Sequence, residues 1–141
     1  MKQALRPVSF ETRADIELVD LTPRVREEIR SAGVREGTVS VVTRHTTGGI
    51  AVNEHDPALQ RDMVAWLRKS FPAGAGYEHD RAPVDDRVNA HAHLAGLVLR
   101  ASETLLVRNG DLDLGPWQSV FFVECDGPRR REVALVIRGT E

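Results

Sequence analysis

Cysteine is almost missing from this chain. Cys125 stands alone, so no disulfide can form within it, and a small disulfide-stapled scaffold is excluded. No stretch approaches the roughly 18 consecutive apolar residues that a membrane-spanning helix needs. The opening residues, MKQALRPVSFET, also lack the apolar run of a signal peptide. The expectation is a protein of a reducing cytoplasm with no membrane partner. Charge of one sign is lacking too. The formal net charge is −2, which gives no global attraction to a polyanion, and one arginine cluster offers few phosphate contacts. A nucleic-acid partner is therefore not expected. Internal repeats, low-complexity tracts and long Pro/Gly/Ser linkers are absent, which leaves no place to divide the chain.

What is present suits one folded unit. Over 141 residues, 41% are apolar and 28% charged, the balance of a globular domain with a real core. A single domain over residues 1–141 is expected. Short alternating runs at Arg6 to Phe10 and Ile16 to Leu21 predict two strands joined by the polar turn Glu11-Thr12-Arg13. Thr22-Pro23 reads as a helix start, with Thr as the cap, and Gly33 as its stop. Gly37 to Thr43 and Ile50 to Asn53 are β-rich. Asp56-Pro57 repeats the cap-then-proline signature before a helix whose stripe of Leu59, Met63, Trp66 and Leu67 is assigned to the core. Residues Ala73 to Asn89 show no period and read as a long loop, a length often tied to function, with a disordered excursion as the competing reading. A short helix is placed at Leu94 to Arg100. Thr104 to Val107 turns at Asn109-Gly110 into Leu112 to Leu114, and Ser119 to Cys125 and Glu132 to Ile137 supply the last strands. These elements predict an α+β fold with mostly antiparallel sheet.

Histidine is scarce, five in all, yet unevenly spread: His91-Ala92-His93 holds two and His45-Thr46-Thr47-Gly48-Gly49 a third. In an extended segment, residues two apart face the same way, so His91 and His93 would present both imidazoles to one ion; in a helix they would diverge. With His45 they would form a three-nitrogen Zn²⁺-type site with an open position. The bland alternative is surface or hydrogen-bonded histidine. Gly48-Gly49 reads either as a backbone approach to a ligand or as an ordinary turn. Glu54 is the candidate general base, while Asp56 is the helix cap. His55 and His79 belong to no constellation. Trp117-Gln118 suits a flat heterocycle, with buried core as the competing reading of the tryptophan. Arg129, Arg130 and Arg131 offer bidentate phosphate contacts beside a tight turn, but strand alternation allows only some of them to face one site.

His45-Thr46-Thr47, Asn53-Glu54, Asn89-Ala90-His91-Ala92-His93-Leu94, Gly115-Pro116-Trp117-Gln118 and Asp126-Gly127-Pro128-Arg129-Arg130 together resemble the ordered signature of the YjbQ-like family. This family is also called the secondary thiamine-phosphate synthase family. The resemblance spans nearly the whole chain. It implies two packed, mostly antiparallel sheets with flanking helices, and a homotrimer whose site lies near subunit interfaces. It further implies a metal held by His45, His91 and His93. It implies Glu54, Asn89, Trp117, Gln118 and Arg129 as neighbours of that metal. With the residue readings above, catalysis is expected to rest on Glu54 and His45, and substrate binding on Thr46, Thr47, Asn89, Trp117, Gln118, Arg129 and Arg130.

Three functions are open at this point. The first joins a pyrimidine pyrophosphate to a thiazole phosphate with loss of pyrophosphate, a reaction type usually served by Mg²⁺ on carboxylates rather than by zinc on histidines. The second is a metal-dependent hydrolase of a small phosphorylated or cyclic substrate, with Glu54 as base. The third is a trimeric, non-enzymatic module that captures an anionic metabolite by metal and arginine.

Overall fold

Apolar side chains at every second position and Pro or Gly at the breaks give this chain more strand than helix, and the computed structural model describes all residues 1–141. In chain order the elements are β1 (Lys2–Glu11), β2 (Glu17–Asp20), α1 (Thr22–Ala32), β3 (Glu36–Thr43), β4 (Gly48–Glu54), α2 (Pro57–Ser70), α3 (Glu78–Arg81), α4 (Ala90–Val98), β5 (Ser102–Arg108), β6 (Asp111–Asp113), β7 (Gln118–Glu124) and β8 (Arg130–Thr140). Two antiparallel sheets form, one ordered β1-β8-β3-β5-β6 and the other β2-β7-β4. The two predicted N-terminal strands exist but part company, β1 joining the large sheet and β2 the small one.

The main core lies between the sheets. Val39, Val41, Val133, Leu135 and Ile137 from the large sheet meet Ile50, Val120 and Phe122 from the small one, and α1 closes an end with Val25 and Ile29. Every second residue of β8 is buried from Arg131 onward, which is the alternation that a sheet with one wet face requires. A second core covers the other face of the small sheet, where Val123 and Cys125 pack against Leu67 of α2 and Ala92 and Ala95 of α4. The Cys125 thiol is pushed up to about 12 by burial, then by the adjacent Glu124, so it is a packing residue rather than a nucleophile.

Several expectations are corrected. Thr22 does not cap α1; its hydroxyl accepts from Val120 N at 2.9 Å and ties the helix to β7. Asp56 does cap α2, accepting from Leu59 N at 2.8 Å. Of the α2 stripe only Leu67 is buried, and Trp66 stays 58% exposed. The long loop holds the one-turn helix α3. Most important, the helix expected at Leu94 starts at Ala90 and takes the His91-Ala92-His93 segment out of the extended form. Asp80 of α3 accepts from Ala90 N at 3.0 Å, and the Asn89 carbonyl accepts from Ala92 N and His93 N. This wires the first turn. The small Ala90, Ala92 and Ala95 then let α4 lie close on the sheet.

Candidate functional site

The turn after β3 and the start of β8 build one wall of a polar pocket, and the first turn of α4 with the loop before it builds the other. Arg44, His45, Thr46, Thr47, Asp85, Asn89, His93, Arg129 and Arg131 line it, with no apolar residue among them and a volume of about 220 Å³. Expected residues from three separate motifs meet here: His45, Thr46, Thr47, Asn89, His93 and Arg129. Arg130 does not, because it is exposed at the register position opposite Glu11.

Arg131 takes the inward place instead. It is 2% exposed and forms a forked ion pair with fully buried Glu124, while its Nη2 donates to Thr47 Oγ1 at 2.9 Å and to the Thr47 carbonyl at 3.3 Å. Those bonds fix the turn that carries His45. On that turn His45 N donates to Thr43 Oγ1 at 3.1 Å, and its ring stands edge-on to Phe122. Nε2 accepts from Glu132 N at 3.2 Å, which leaves Nδ1 as the protonated nitrogen. Burial holds the His45 imidazole below its ordinary titration range, and the Arg131 charge adds to the effect. His45 is thus a neutral hydrogen-bond donor at neutral pH.

Asp126 is the hub of the opposite wall. Its carboxylate accepts from Arg87 Nε at 3.1 Å, Arg87 Nη2 at 2.9 Å and Asn89 Nδ2 at 2.8 Å, and lies 3.5 Å from Arg129 Nη1. Burial pushes the Asp126 carboxyl up, but Arg87 and Asn89 outweigh it and hold it below the usual range. Arg87, Asn89 and Arg129 are therefore locked together by one ionised group. Arg131 spends Nε and Nη2 on Glu124 and Thr47, and the pocket's less buried cations are Arg129 and Arg44, the latter meeting Glu132 only at 3.9 Å. Such a lining suits a small oxyanion.

The three-histidine set does not converge in one chain. Residues two apart on a helix point to nearly opposite sides, and His93 enters the pocket while His91 does not. His91 is half-buried with Nδ1 enclosed and without a hydrogen-bond partner. The histidine that does meet His93 is His79 of α3, with ring centroids 4.9 Å apart. Ligation by His45 Nε2 would cost the Glu132 N–H bond, and no three His, Cys, Asp or Glu side chains gather as an ion's ligands. The residues of a single chain thus do not fit the metal that the resemblance implies, and no chemical step is routed through one.

Gly48 and Gly49 serve packing rather than a ligand. A Cβ on Gly48 would lie 2.6 Å from the Phe122 ring, and one on Gly49 2.5 Å from Leu99 Cβ.

Glu54, Trp117 and Gln118 form a second cluster with Val52 and Asn53, around a pocket of about 420 Å³. Trp117 is 73% exposed, so it is not core in this chain. Gln118 Oε1 accepts from Gly115 N at 2.9 Å. Register fixes how far this cluster lies from the arginines: Gly48 pairs with Glu124 at one end of the small sheet and Glu54 with Gln118 at the other. Six residue steps at about 3.3 Å put the two ends roughly 20 Å apart. The Glu54 cluster and the His45 pocket are separate sites within one chain.

Sequence reasoning missed Arg44, Arg87, Asp85 and Glu124, quoted Asp126 within a motif without a role of its own, and left Arg131 unchosen. One signal was available. Val133, Leu135 and Ile137 mark the odd positions of β8 as inward, which turns Arg131 in and Arg130 out. No comparable period marks the loop residues.

A family model described as UPF0047 protein YjbQ-like matches residues 6–140. A UPF0047 protein of Methanothermobacter thermautotrophicus is 37% identical over 139 residues, covering 99% of this chain and 94% of its own. YugU of Bacillus subtilis, also a UPF0047 protein, is 32% identical over 138 residues, covering 96% and 99%. Among solved structures, a YbjQ-like protein of unknown function from Sulfolobus solfataricus superposes with a TM-score of 0.91 at 32% identity over 98% of both chains. A hypothetical protein from Aeropyrum pernix gives 0.90 at 35% identity, covering 96% of this chain and 98% of its own. Sequence, motif order and fold agree, and the chain belongs to the YjbQ-like UPF0047 family.

Proposed function

We propose that the His45 pocket binds the phosphate or pyrophosphate of a small metabolite, and that the chain acts as a transferase of the thiamine-phosphate synthase kind. In that reaction a bond forms between a pyrimidine and a thiazole phosphate while the bond to pyrophosphate breaks. The observation that carries the reading is the lining itself: no apolar residue, two arginines with spare donors, and a neutral His45 whose Nδ1–H is available. Arg44 and Arg129 would take up charge as pyrophosphate departs, and His45 would donate to an oxygen of the leaving group. Preorganisation by Asp126 and Glu124 supports this, because donors already held in place need not reorganise during reaction. The hydrolase reading draws less support, because His91 and His93 diverge and do not join His45 in one water-activating set within a chain.

The flat Trp117 beside Gln118 would hold a ring, but it lies at the far end of the small sheet from the arginines. One chain cannot place both clusters on one small substrate. A homotrimer that sets the Trp117 end of one subunit against the His45 pocket of the next would complete a site, and the exposure of Trp117 is consistent with it. Location in the cytoplasm is part of the same proposal; no helix is long and apolar enough to cross a membrane.

Titration calorimetry with inorganic pyrophosphate tests the reading. Arg129→Ala should weaken binding about tenfold or more, the worth of a charged hydrogen bond. His93→Ala should weaken it less, and His91→Ala not at all. Equal affinity in wild type and Arg129→Ala would end the claim. Binding without formation of the joined product, by mass spectrometry, would leave a binding module in place of a transferase.

A further inference from the structure

The pocket is not uniformly cationic. Among its lining residues Asp85 is the one carboxylate, and it pairs with none of the arginines there. One of its oxygens, Oδ1, accepts from Arg87 N at 3.2 Å, and Oδ2 remains free. This placement is held on both sides. Asp86 sits at φ 63, a left-handed conformation that a non-glycine residue seldom adopts. Arg87 is clamped to Asp126 through its carboxylate and, at 3.0 Å, its carbonyl. Because the Asp126 carboxylate also holds Asn89 and contacts Arg129, a single group sets the spacing between the anion-binding arginine and the free carboxylate. Asp85 and Asp86 are both exposed, so the carboxylate meets whatever enters the pocket from solvent.

We infer that Asp85 is a specificity residue that takes the ammonium or protonated amino group of a ligand whose phosphate rests on Arg44 and Arg129. The ligand class is a small phosphorylated amine. A carboxylate and guanidinium groups in one pocket each disfavour the other's partner: a bare anion gains the arginines but is repelled by Asp85, and a simple amine meets two cations. A ligand with both groups satisfies both. The volume of about 220 Å³ lies below the roughly 300–1,000 Å³ of sites that enclose drug-sized ligands, so the phosphate and the amine must lie close together in the part of the ligand that enters the pocket. This inference deepens the proposal of a phosphate pocket and rests on it.

The test compares phosphoethanolamine with ethyl phosphate, which share the phosphate ester and differ in the amine, by titration calorimetry on the full chain. Wild type should prefer phosphoethanolamine by about tenfold, since a charge-assisted hydrogen bond is worth that much. In Asp85→Asn the ratio should fall towards one, with ethyl phosphate binding more tightly as the repelling charge is lost. Asp86→Gly, which frees the backbone but keeps the carboxylate, should lower the ratio part of the way. If wild type binds both phosphates equally, or Asp85→Asn keeps the preference, Asp85 does not read the amine although the phosphate pocket stands. If wild type binds neither, the phosphate pocket and this inference fail together.

Discussion

Arg131 and Glu124 show what a buried pair asks of its neighbours. Both side chains are essentially inaccessible, and their charges are compensated only by each other and by Thr47 and Asp126 backbone and hydroxyl groups. Taking out one partner strands the other in the core, so Arg131→Ala should cost about 3–5 kcal/mol of stability in urea unfolding. The double variant Glu124→Leu/Arg131→Met should recover much of that loss while leaving the His45 turn without its clamp. His45 adds a pH dependence whose sign follows from its burial and then from Arg131. Its folded pKa lies below the unfolded value of 6.5, so folding expels a proton in the window beneath that value. The contribution is complete above about pH 6.5 and is lost as pH falls through the folded pKa. Urea midpoints at about pH 7.5 and about pH 5.5 should therefore converge in His45→Gln relative to wild type. An unchanged gap would place the acid sensitivity elsewhere.

At the scale of elements, α4 matters more than any one histidine on it. Gly96 lets the helix touch the His45 turn, since a Cβ there would stand 2.4 Å from the Thr46 carbonyl oxygen. Gly96→Ala must push helix and turn apart. A loss of about 1–3 kcal/mol is expected from overpacking, together with weaker pyrophosphate binding in calorimetry. Retained affinity would mean that the turn does not depend on its contact with α4. This helix also marks where sequence reasoning stopped. Periodicity found the strands because one buried face imposes alternation, and it found the hairpin because Asn109 and Gly110 both take positive φ, at 54° and 79°. It missed the start of α4 because that start rests on a long-range bond from Asp80 and on the carbonyl of Asn89, which no local pattern announces. Arg87 was invisible and Asp126 had no role of its own for the same reason, since their link joins a loop to a turn 39 residues away, and Asp85 is bonded only to Arg87 of that loop. His45, Thr47, Asn89, His93 and Arg129 were legible through motif order, whereas their metal geometry was not, because it presumed an extended backbone.

For the whole molecule, the governing fact is that two polar clusters sit at opposite ends of the small sheet. The His45 pocket carries donors for phosphate but no aromatic surface, and the Glu54 cluster carries Trp117 and Gln118 but no cation. If a chain worked alone, each would need its own ligand. If three chains close into a ring, each interface can set one cluster against the other, and closed rotational symmetry repeats that contact at every boundary. Co-expression of Arg129→Ala with Trp117→Ala distinguishes the two cases. Each variant alone should lack transfer activity. In a randomly mixed ring, an interface inherits the intact arginine from one chain and the intact tryptophan from its neighbour in about a quarter of cases. The mixture should therefore recover about a quarter of wild-type activity, with light scattering reporting a mass of three chains. A mixture as inactive as its parents, at the mass of one chain, would show that the clusters never meet, and would assign the Trp117 pocket a ligand of its own.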